Sequence, residues 1–202
     1  MEDELLVNQN EYLEEGIHIA TKVKAPGMSR FIYKIREDGL YLLDVKTIDS
    51  RIKIAARVLA RYDPNKVVVT ASRIYAIYAA KKFAELIGAK FLEGRVNPGI
   101  FTNPGRPDFM EPALLFISDS RNEKQAIKEA SKINIPIIAL SDTDNSTKYT
   151  DILIPVNNRG RRALAFVYYL LTREVLKERG SIKTNDEFTY KVEDFEAKVE
   201  SR

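Results

Sequence analysis

The stretch from residue 135 to residue 162 reads IPIIALSDTDNSTKYTDILIPVNNRGRR and decides the fold of this chain. It contains two short apolar runs, at residues 137–140 and 152–156, which are joined by a polar loop. Apolar runs of this length without polar alternation predict strands that are buried on both faces of a parallel sheet. A basic turn that contains a glycine follows the second run and opens a segment with helical periodicity.

The same alternation of short apolar runs and helical segments extends upstream to about residue 40. Three further strands are predicted at residues 67–69, 90–92 and 114–117. Ser72 and the pattern Ser120-Arg121-Asn122-Glu123 are expected to cap the starts of two of the helices between the strands. Residues 31–41 are expected to form a hairpin that turns at Asp38-Gly39.

These elements predict one three-layer α/β/α domain over residues 8–180, with a parallel sheet between two outer layers. Residues 1–7 are assigned to an acidic N-terminal extension and residues 181–202 to a charged C-terminal tail with few apolar side chains. The tail is expected to be mobile, or to become ordered only against a partner. The segment 94–112 is rich in Gly and Pro and is predicted to be a long loop, a type of segment that often carries function.

The charges of the chain are distributed unevenly although the net charge is only +3. Residues 1–15 carry six acidic groups and no Lys or Arg, whereas residues 16–179 carry 28 Lys and Arg against 17 Asp and Glu. A basic body between acidic ends indicates an anionic partner such as nucleic acid. The alternative is a solvated, lysine-rich surface of the kind found in heat-adapted proteins.

Composition also argues against several classes of site. Cysteine is absent, which excludes disulfides and thiolate zinc sites, and His18 is the single histidine on which a His-dependent site could rest. No glycine-rich phosphate motif and no run of 18 or more apolar residues occurs, so neither a nucleotide cofactor nor a membrane-spanning helix is expected.

Asp119 and Asp142 each follow a strand and could bind Mg²⁺ or act as acid and base. We favour helix capping and loop hydrogen bonding for both, because no further ligand or base stands at a fixed spacing, and we predict no metal and no cofactor.

Cationic and amide side chains are concentrated in three loops. The first set comprises Lys22, Lys24 and Arg30, the second Arg95, Asn97 and Arg106, and the third Asn157, Asn158, Arg159, Arg161 and Arg162. The third set stands at a helix start, where free backbone N–H groups and the helix dipole favour phosphate. Arginine is disfavoured at that position unless an anionic partner offsets the dipole. We therefore predict that the three sets bind RNA phosphates, with Arg159, Arg161 and Arg162 as the main clamps.

The chain resembles the small-subunit ribosomal protein number two family, in its archaeal and eukaryotic form. The matching stretches include Gly16-Ile17-His18, the turn Pro26-Gly27-Met28, GLYLLDVKT at residues 39–47, Pro98-Gly99-Ile100-Phe101-Thr102-Asn103, NIPIIALSDTD at residues 134–144, and Asn157-Asn158-Arg159-Gly160. They occur in order over about residues 8–180. Bacterial members of the family carry a long helical hairpin before the strand that starts near Leu114, and this chain has only a short loop there.

The resemblance implies a flavodoxin-like, mostly parallel sheet and a structural, non-catalytic role. The expected partners are small-subunit ribosomal RNA and neighbouring small-subunit ribosomal proteins, with no membrane and no small-molecule substrate, and the expected location is the cytoplasmic ribosome. Two rival interpretations stay open at this point. One is a phosphosugar-binding isomerase-like domain that uses Ser72 and Ser141 near strand ends. The other is a free adaptor that recruits proteins through its acidic ends.

Overall fold

The computed structural model of the protein describes residues 5–198. The helices in this range are α1 (Gln9–Glu14), α2 (Val45–Arg61), α3 (Ile74–Ile87), α4 (Lys124–Lys132) and α5 (Arg161–Glu178). The strands are β1 (Ile32–Ile35), β2 (Tyr41–Leu43), β3 (Val67–Ala71), β4 (Lys90–Glu93), β5 (Leu114–Ile117), β6 (Ile137–Ser141) and β7 (Ile152–Pro155). No helix in this range is long and apolar enough to cross a membrane.

Five strands form the central sheet, in the order β4-β3-β5-β6-β7, and every neighbouring pair is parallel. This is the flavodoxin-like order, in which the chain starts in the interior of the sheet and winds outward in both directions. The direction of winding reverses between β3 and β5, which makes the gap between their carboxyl ends the switch point of the fold. The predicted parallel sheet and the three-layer α/β/α class are confirmed.

The two faces of the sheet are covered differently. Alternate residues of β3 point to opposite faces, so that Val67 and Val69 join one buried cluster while Val68 joins the other. The first cluster lies under α2, α3 and α5. The second lies under α4 and the loop 94–113, which inserts Ile100 and Phe101 where another helix could have packed. The loop is tied to α4 because Glu129 accepts hydrogen bonds from the backbone N–H groups of Gly99 (2.6 Å) and Phe101 (3.2 Å).

The predicted hairpin is confirmed as the antiparallel pair β1 and β2, and it lies beside the main sheet rather than in it. Its inner strand also bonds to the N-terminal segment, because the Ala20 N–H donates to the Tyr41 carbonyl oxygen (2.9 Å) and the Tyr41 N–H to the Thr21 carbonyl oxygen (3.2 Å). These bonds carry the loop at residues 21–30 toward the carboxyl ends of the main strands.

The C-terminal segment differs from the tail expected from the sequence. Phe188 and Phe195 are buried, and their rings pack on Tyr169 of α5 with centroid distances of 5.3 and 6.2 Å. The segment 181–198 therefore covers α5 as part of the domain, because a few large aromatic side chains bury enough area to offset its many charges. At the other end, the Leu6 N–H donates to Asp49 (2.9 Å). Residues 1–4 and 199–202, which complete the predicted acidic ends, lie outside the described residues.

Two helix starts differ from the expected caps. The residue that precedes α3 is Arg73 rather than Ser72, and the one that precedes α4 is Glu123; neither start has a side-chain cap. The predicted capping box at residues 120–123 does not form because the Glu123 side chain turns into the sheet instead. It accepts hydrogen bonds from the Ser72 N–H and hydroxyl (both 3.2 Å).

Candidate nucleic-acid interface

The carboxyl edge of the sheet is lined by arginine. Four of the five strands, β3, β4, β5 and β7, are followed within four residues by an arginine, and the turn after β7 adds two more, Arg161 and Arg162. Arg161 is paired with Glu196 of the C-terminal segment. We call the other five residues the basic rim: Arg73, Arg95, Arg121, Arg159 and Arg162. Since neighbouring strands lie about 4.8 Å apart, the rim extends over roughly 19 Å.

Two aspartates with buried side chains lie beneath the rim and hold part of it in place. The Arg73 guanidinium pairs with Asp119 at 2.7 Å, while Arg121 and Arg159 both pair with Asp144. The side chains of Asp119 and Asp144 are 0% and 3% exposed, so their charges face the arginines and not the solvent. A guanidinium has five N–H donors, and one edge can bond to a carboxylate while another stays free for phosphate.

Asp119 and Asp142 act as hydrogen-bond acceptors within the loops, as favoured from the sequence. Asp119 accepts from the Arg121 N–H (2.9 Å) and from the Asn145 side-chain amide (3.1 Å). Asp142 accepts from the Thr21 N–H (3.3 Å). Burial raises the pKa of Asp142 to about 6 and the charge of Asp144 adds to this effect, whereas hydrogen bonding and Arg159 oppose it. Among residues 5–198 no group of three or more His, Asp or Glu could hold a metal ion.

The five RNA contacts predicted in the turn before α5 are of two kinds, two amides and three arginines. Asn157 accepts hydrogen bonds from the N–H groups of Arg159 and Gly160, both at 3.0 Å, and Asn158 is fully buried against Asp119. Asn157 is half-buried and Asn158 is buried, so both amides shape the turn, and their predicted contact with RNA stays a prediction.

The three arginines of this turn also differ from one another. Arg161 pairs with Glu196 of the C-terminal segment (2.7 Å), and Arg159 pairs with Asp144. Arg162 is exposed and makes no ion pair with any residue in the range 5–198. Of the three predicted clamps, Arg162 is therefore the one with its whole charge available.

The first basic set is brought close to the rim. The Ala25 N–H donates to the Thr143 carbonyl oxygen at 2.7 Å, and Gly27 lies so close to Thr147 that a Cβ there would overlap the threonine side chain. The turn that carries Lys22, Lys24 and Arg30 is thereby fixed against the loop after β6. Lys24 lies over the Tyr41 ring (5.9 Å) and Arg30 over the Phe31 ring (4.8 Å), while Lys22 is exposed.

The second basic set is only partly brought to the rim. Arg95 comes two residues after the end of β4 and is exposed at the carboxyl edge, and Asn97 is exposed two residues later. Arg106 lies further along the loop and is held by Asp108 through two hydrogen bonds of 2.7 and 2.8 Å and by the Pro98 carbonyl oxygen (3.2 Å). Arg106 is therefore engaged in shaping its own loop, whereas Arg95 belongs to the rim.

Comparison with known sequences shows which proteins this chain is similar to. Residues 108–178 match the family described as Ribosomal protein S2. The chain is 47% identical over 199 residues to the small ribosomal subunit protein uS2 of Thermoplasma acidophilum, with 98% of this chain and 100% of the relative covered. It is 49% identical over 199 residues to the protein of that name from Thermofilum pendens (98% and 93% covered), and 46% identical over 196 residues to the one from Saccharolobus solfataricus (97% and 85% covered).

The chain belongs to the ribosomal protein S2 family. The resemblance seen in the sequence is confirmed, and the relatives named above are archaeal, as the short loop before β5 indicated. The S2 family is structural and non-enzymatic.

The switch point of this S2-family chain is filled by its own side chain. Glu123 is fully buried, and its carboxyl group is hydrogen-bonded to the N–H and hydroxyl of Ser72 and to the hydroxyl of Thr70. These are the groups at the end of β3 that a phosphate ligand would use in a flavodoxin-like sheet. Ser141, the second serine of the isomerase interpretation, bonds to the Ser120 hydroxyl (3.4 Å). The isomerase-like alternative is not favoured.

Two rim residues, Arg73 and Arg121, were missing from the predicted sites. Neither belongs to a basic cluster in the sequence, so charge density along the chain could not reveal them. The available signal was their position: Arg73 comes two residues after β3 and Arg121 four residues after β5. Because parallel strands place their carboxyl ends at one edge, residues far apart in sequence meet there.

Proposed function

We propose that the protein is a structural constituent of the small ribosomal subunit, located on the ribosome in the cytoplasm. In this role it binds ribosomal RNA through the basic rim and contacts neighbouring ribosomal proteins elsewhere on its surface. The observation that carries the proposal is the row of arginines along one sheet edge, in a chain nearly half identical to proteins named small ribosomal subunit protein uS2. Phosphate contacts of this kind supply most of the affinity of proteins for nucleic acid.

The rim suits the backbone of folded RNA better than the edges of its bases. Structured RNA is recognised largely through shape, phosphates and 2′-hydroxyl groups, because its deep major groove is closed to side chains. Arg73, Arg121 and Arg159 are held in fixed positions by buried carboxylates, which lowers the entropy lost when they bind a rigid phosphate array. Arg95 and Arg162 have no ion-pair partner among the described residues and contribute unneutralised charge.

In this proposal the remaining predicted contacts contribute to RNA binding to different degrees. Lys22, Lys24 and Arg30 flank the rim on the turn that is fixed to the loop after β6. Asn97 extends the rim beyond Arg95. Arg106 and Arg161 have carboxylate partners of their own, so they contribute less, and Asn157 and Asn158 support the turn from below.

The test is sedimentation of lysate from cells that make this protein, through a sucrose gradient at moderate salt. We expect the protein to migrate with the small subunit and to move to the top of the gradient after RNase digestion. A variant with Arg73, Arg95, Arg121, Arg159 and Arg162 changed to Ala should shift toward the top without digestion, because it lacks the rim. Its folding is checked by circular dichroism.

Two outcomes count against the proposal. If the native protein stays at the top while small subunits remain intact, it is not a ribosomal constituent. If it remains bound to other proteins after complete RNase digestion, the adaptor interpretation gains instead. In the first case a binding screen with sugar phosphates tests the isomerase-like alternative directly.

A further inference from the structure

Tyr149 is an exposed aromatic residue in an unusual backbone conformation. It lies in the loop between β6 and β7, the residue is 65% exposed, and its φ angle is +62°. Bulky residues seldom adopt positive φ, and such strain persists where the surrounding structure enforces it, often at functional sites. Asn134, the other non-glycine residue with positive φ in the range 5–198, directly follows the C-cap residue of α4, a position where Asn is common.

Three lysines surround a cleft on one side of Tyr149. Lys124 and Lys128 stand one helical turn apart on α4, and Lys148 precedes Tyr149 in the loop. The cleft has a volume of about 120 Å³, with the buried Ile127 among its lining residues. None of the three lysines makes an ion pair with a residue between 5 and 198, so their charges are available to an external anion.

A second cavity adjoins Tyr149, and its lining is polar. This cavity has a volume of about 350 Å³ and is lined by Ser131, Asn134, Thr150 and Asp151 among others. The Thr150 hydroxyl is buried and has no hydrogen-bond partner in the described chain. A buried hydroxyl without a partner is costly, and a ligand with hydrogen-bonding edges would satisfy it.

We infer that this site binds a single unstacked nucleotide of RNA. The base would stack on the Tyr149 ring and present its polar edge to the cavity, while the adjacent phosphates lie on Lys124, Lys128 and Lys148. Unpaired bases in loops and bulges are recognised by such aromatic stacking with hydrogen bonds to the base edge. The lysines continue from Arg121, three residues before Lys124, so a strand on the rim could extend to this site.

The inference rests on the proposed function, and the experiment separates the two. The probes are two RNA duplexes of equal length, one fully paired and one with a single bulged 2-aminopurine, each titrated with the purified full-length protein. We expect the bulged duplex to bind more tightly and its fluorescence to change on binding. Tyr149→Ala should lower affinity for the bulged duplex by about 5- to 100-fold, because stacking contributes that much per base.

Matched variants keep the result interpretable. Tyr149→Phe retains the ring and should bind the bulged duplex like the native protein. Tyr33→Ala removes another tyrosine that is 72% exposed, on β1, and should have no effect. Arg162→Ala should weaken both duplexes alike, because it acts on the rim.

Four outcomes overturn the inference or its basis. Equal binding of the two duplexes, or an unchanged affinity in Tyr149→Ala, overturns the nucleotide site while leaving the rim intact. A weaker binding of the fully paired duplex by Tyr149→Ala would show that the residue acts through the fold. Failure of the native protein to bind either duplex contradicts RNA binding itself.

Discussion

Glu123 shows how a single residue can be assigned to the wrong role by local sequence. The pattern Ser120-Arg121-Asn122-Glu123 predicts a capping box, yet the carboxyl group is buried at the switch point against Thr70 and Ser72. Burial raises its pKa to about 8, and the nearby charge of Asp119 adds to this effect, while the hydrogen bonds from Thr70 and Ser72 oppose it. The residue is therefore mostly protonated in the folded protein at neutral pH.

The raised pKa predicts a particular dependence of stability on pH. An unfolded glutamate has its ordinary pKa of 4.5, so between pH 4.5 and about 8 the folded state retains a proton that the unfolded state releases. Stability must then fall as pH rises through this window, by up to about 1.4 kcal/mol per pH unit from this group. Glu123→Gln, which is neutral at every pH, should remove that part of the slope and stabilise the protein at pH 7.5.

Urea unfolding of both proteins at intervals from pH 5 to pH 8 measures the effect. Glu85→Gln changes an exposed glutamate on α3 and serves as the control, with an unaltered slope expected. Parallel curves for the native protein and Glu123→Gln would mean that Glu123 is ionised in the folded state. In that case the carboxylate is stabilised by its donors, and the variant should be less stable at every pH.

At the scale of elements, the sheet could be predicted from the sequence and the C-terminal segment could not. The three inner strands β3, β5 and β6 are short and buried at every position, and such continuous apolar runs are typical of strands inside a parallel sheet. Residues 181–198 have the opposite character, because their many charges dominate the mean hydropathy of the segment. Their packing depends on Phe188 and Phe195. The surface of α5 on which these two rings pack exists only in the folded protein, so the sequence of the segment does not reveal it.

The packed segment predicts a large loss of stability for Phe195→Ala. Phe195 is fully buried against α5, and removing a buried phenylalanine ring leaves a cavity. The expected loss is about 3 to 5 kcal/mol in the free energy of unfolding, measured with urea. Glu193→Ala, at an exposed position of the same segment, should change stability by less than about 0.5 kcal/mol. Equal stability of the two variants would mean that the segment is detached in solution.

At the scale of the whole molecule, charge alone predicted an anionic partner but not where it binds. The sequence pointed to the loops at residues 22–30 and 157–162 as candidate contacts, because their basic residues lie close together in the chain. It could not identify the rim, because Arg73, Arg95 and Arg121 come together only when the strands align in parallel. The sequence also could not reveal which arginines are already neutralised. Asp144 pairs with Arg159, which lies 15 positions away in the chain, and with Arg121, which lies 23 positions away.

The positions of the charges, unlike the net charge, predict which cations determine the salt dependence of RNA binding. Lys22, Arg95 and Arg162 are exposed at or beside the carboxyl edge and have no internal ion pair in the described range. Changing all three to Ala should weaken binding to duplex RNA and flatten the plot of log affinity against log salt. The slope should fall by up to about 0.9 per lost contact, or about 2.7 in all, because fewer counterions are released.

The matched control removes the same charge from the opposite side of the sheet. Arg61, Lys66 and Lys90 are exposed at or near the amino ends of β3 and β4, and their triple Ala variant has an identical net charge. If the rim is the RNA-binding surface, this variant keeps nearly the native slope, because its lost charges lie on the far side of the domain from the bound phosphates. Equal flattening in both variants would mean that RNA responds to the overall charge of the protein, and the rim would lose its assignment.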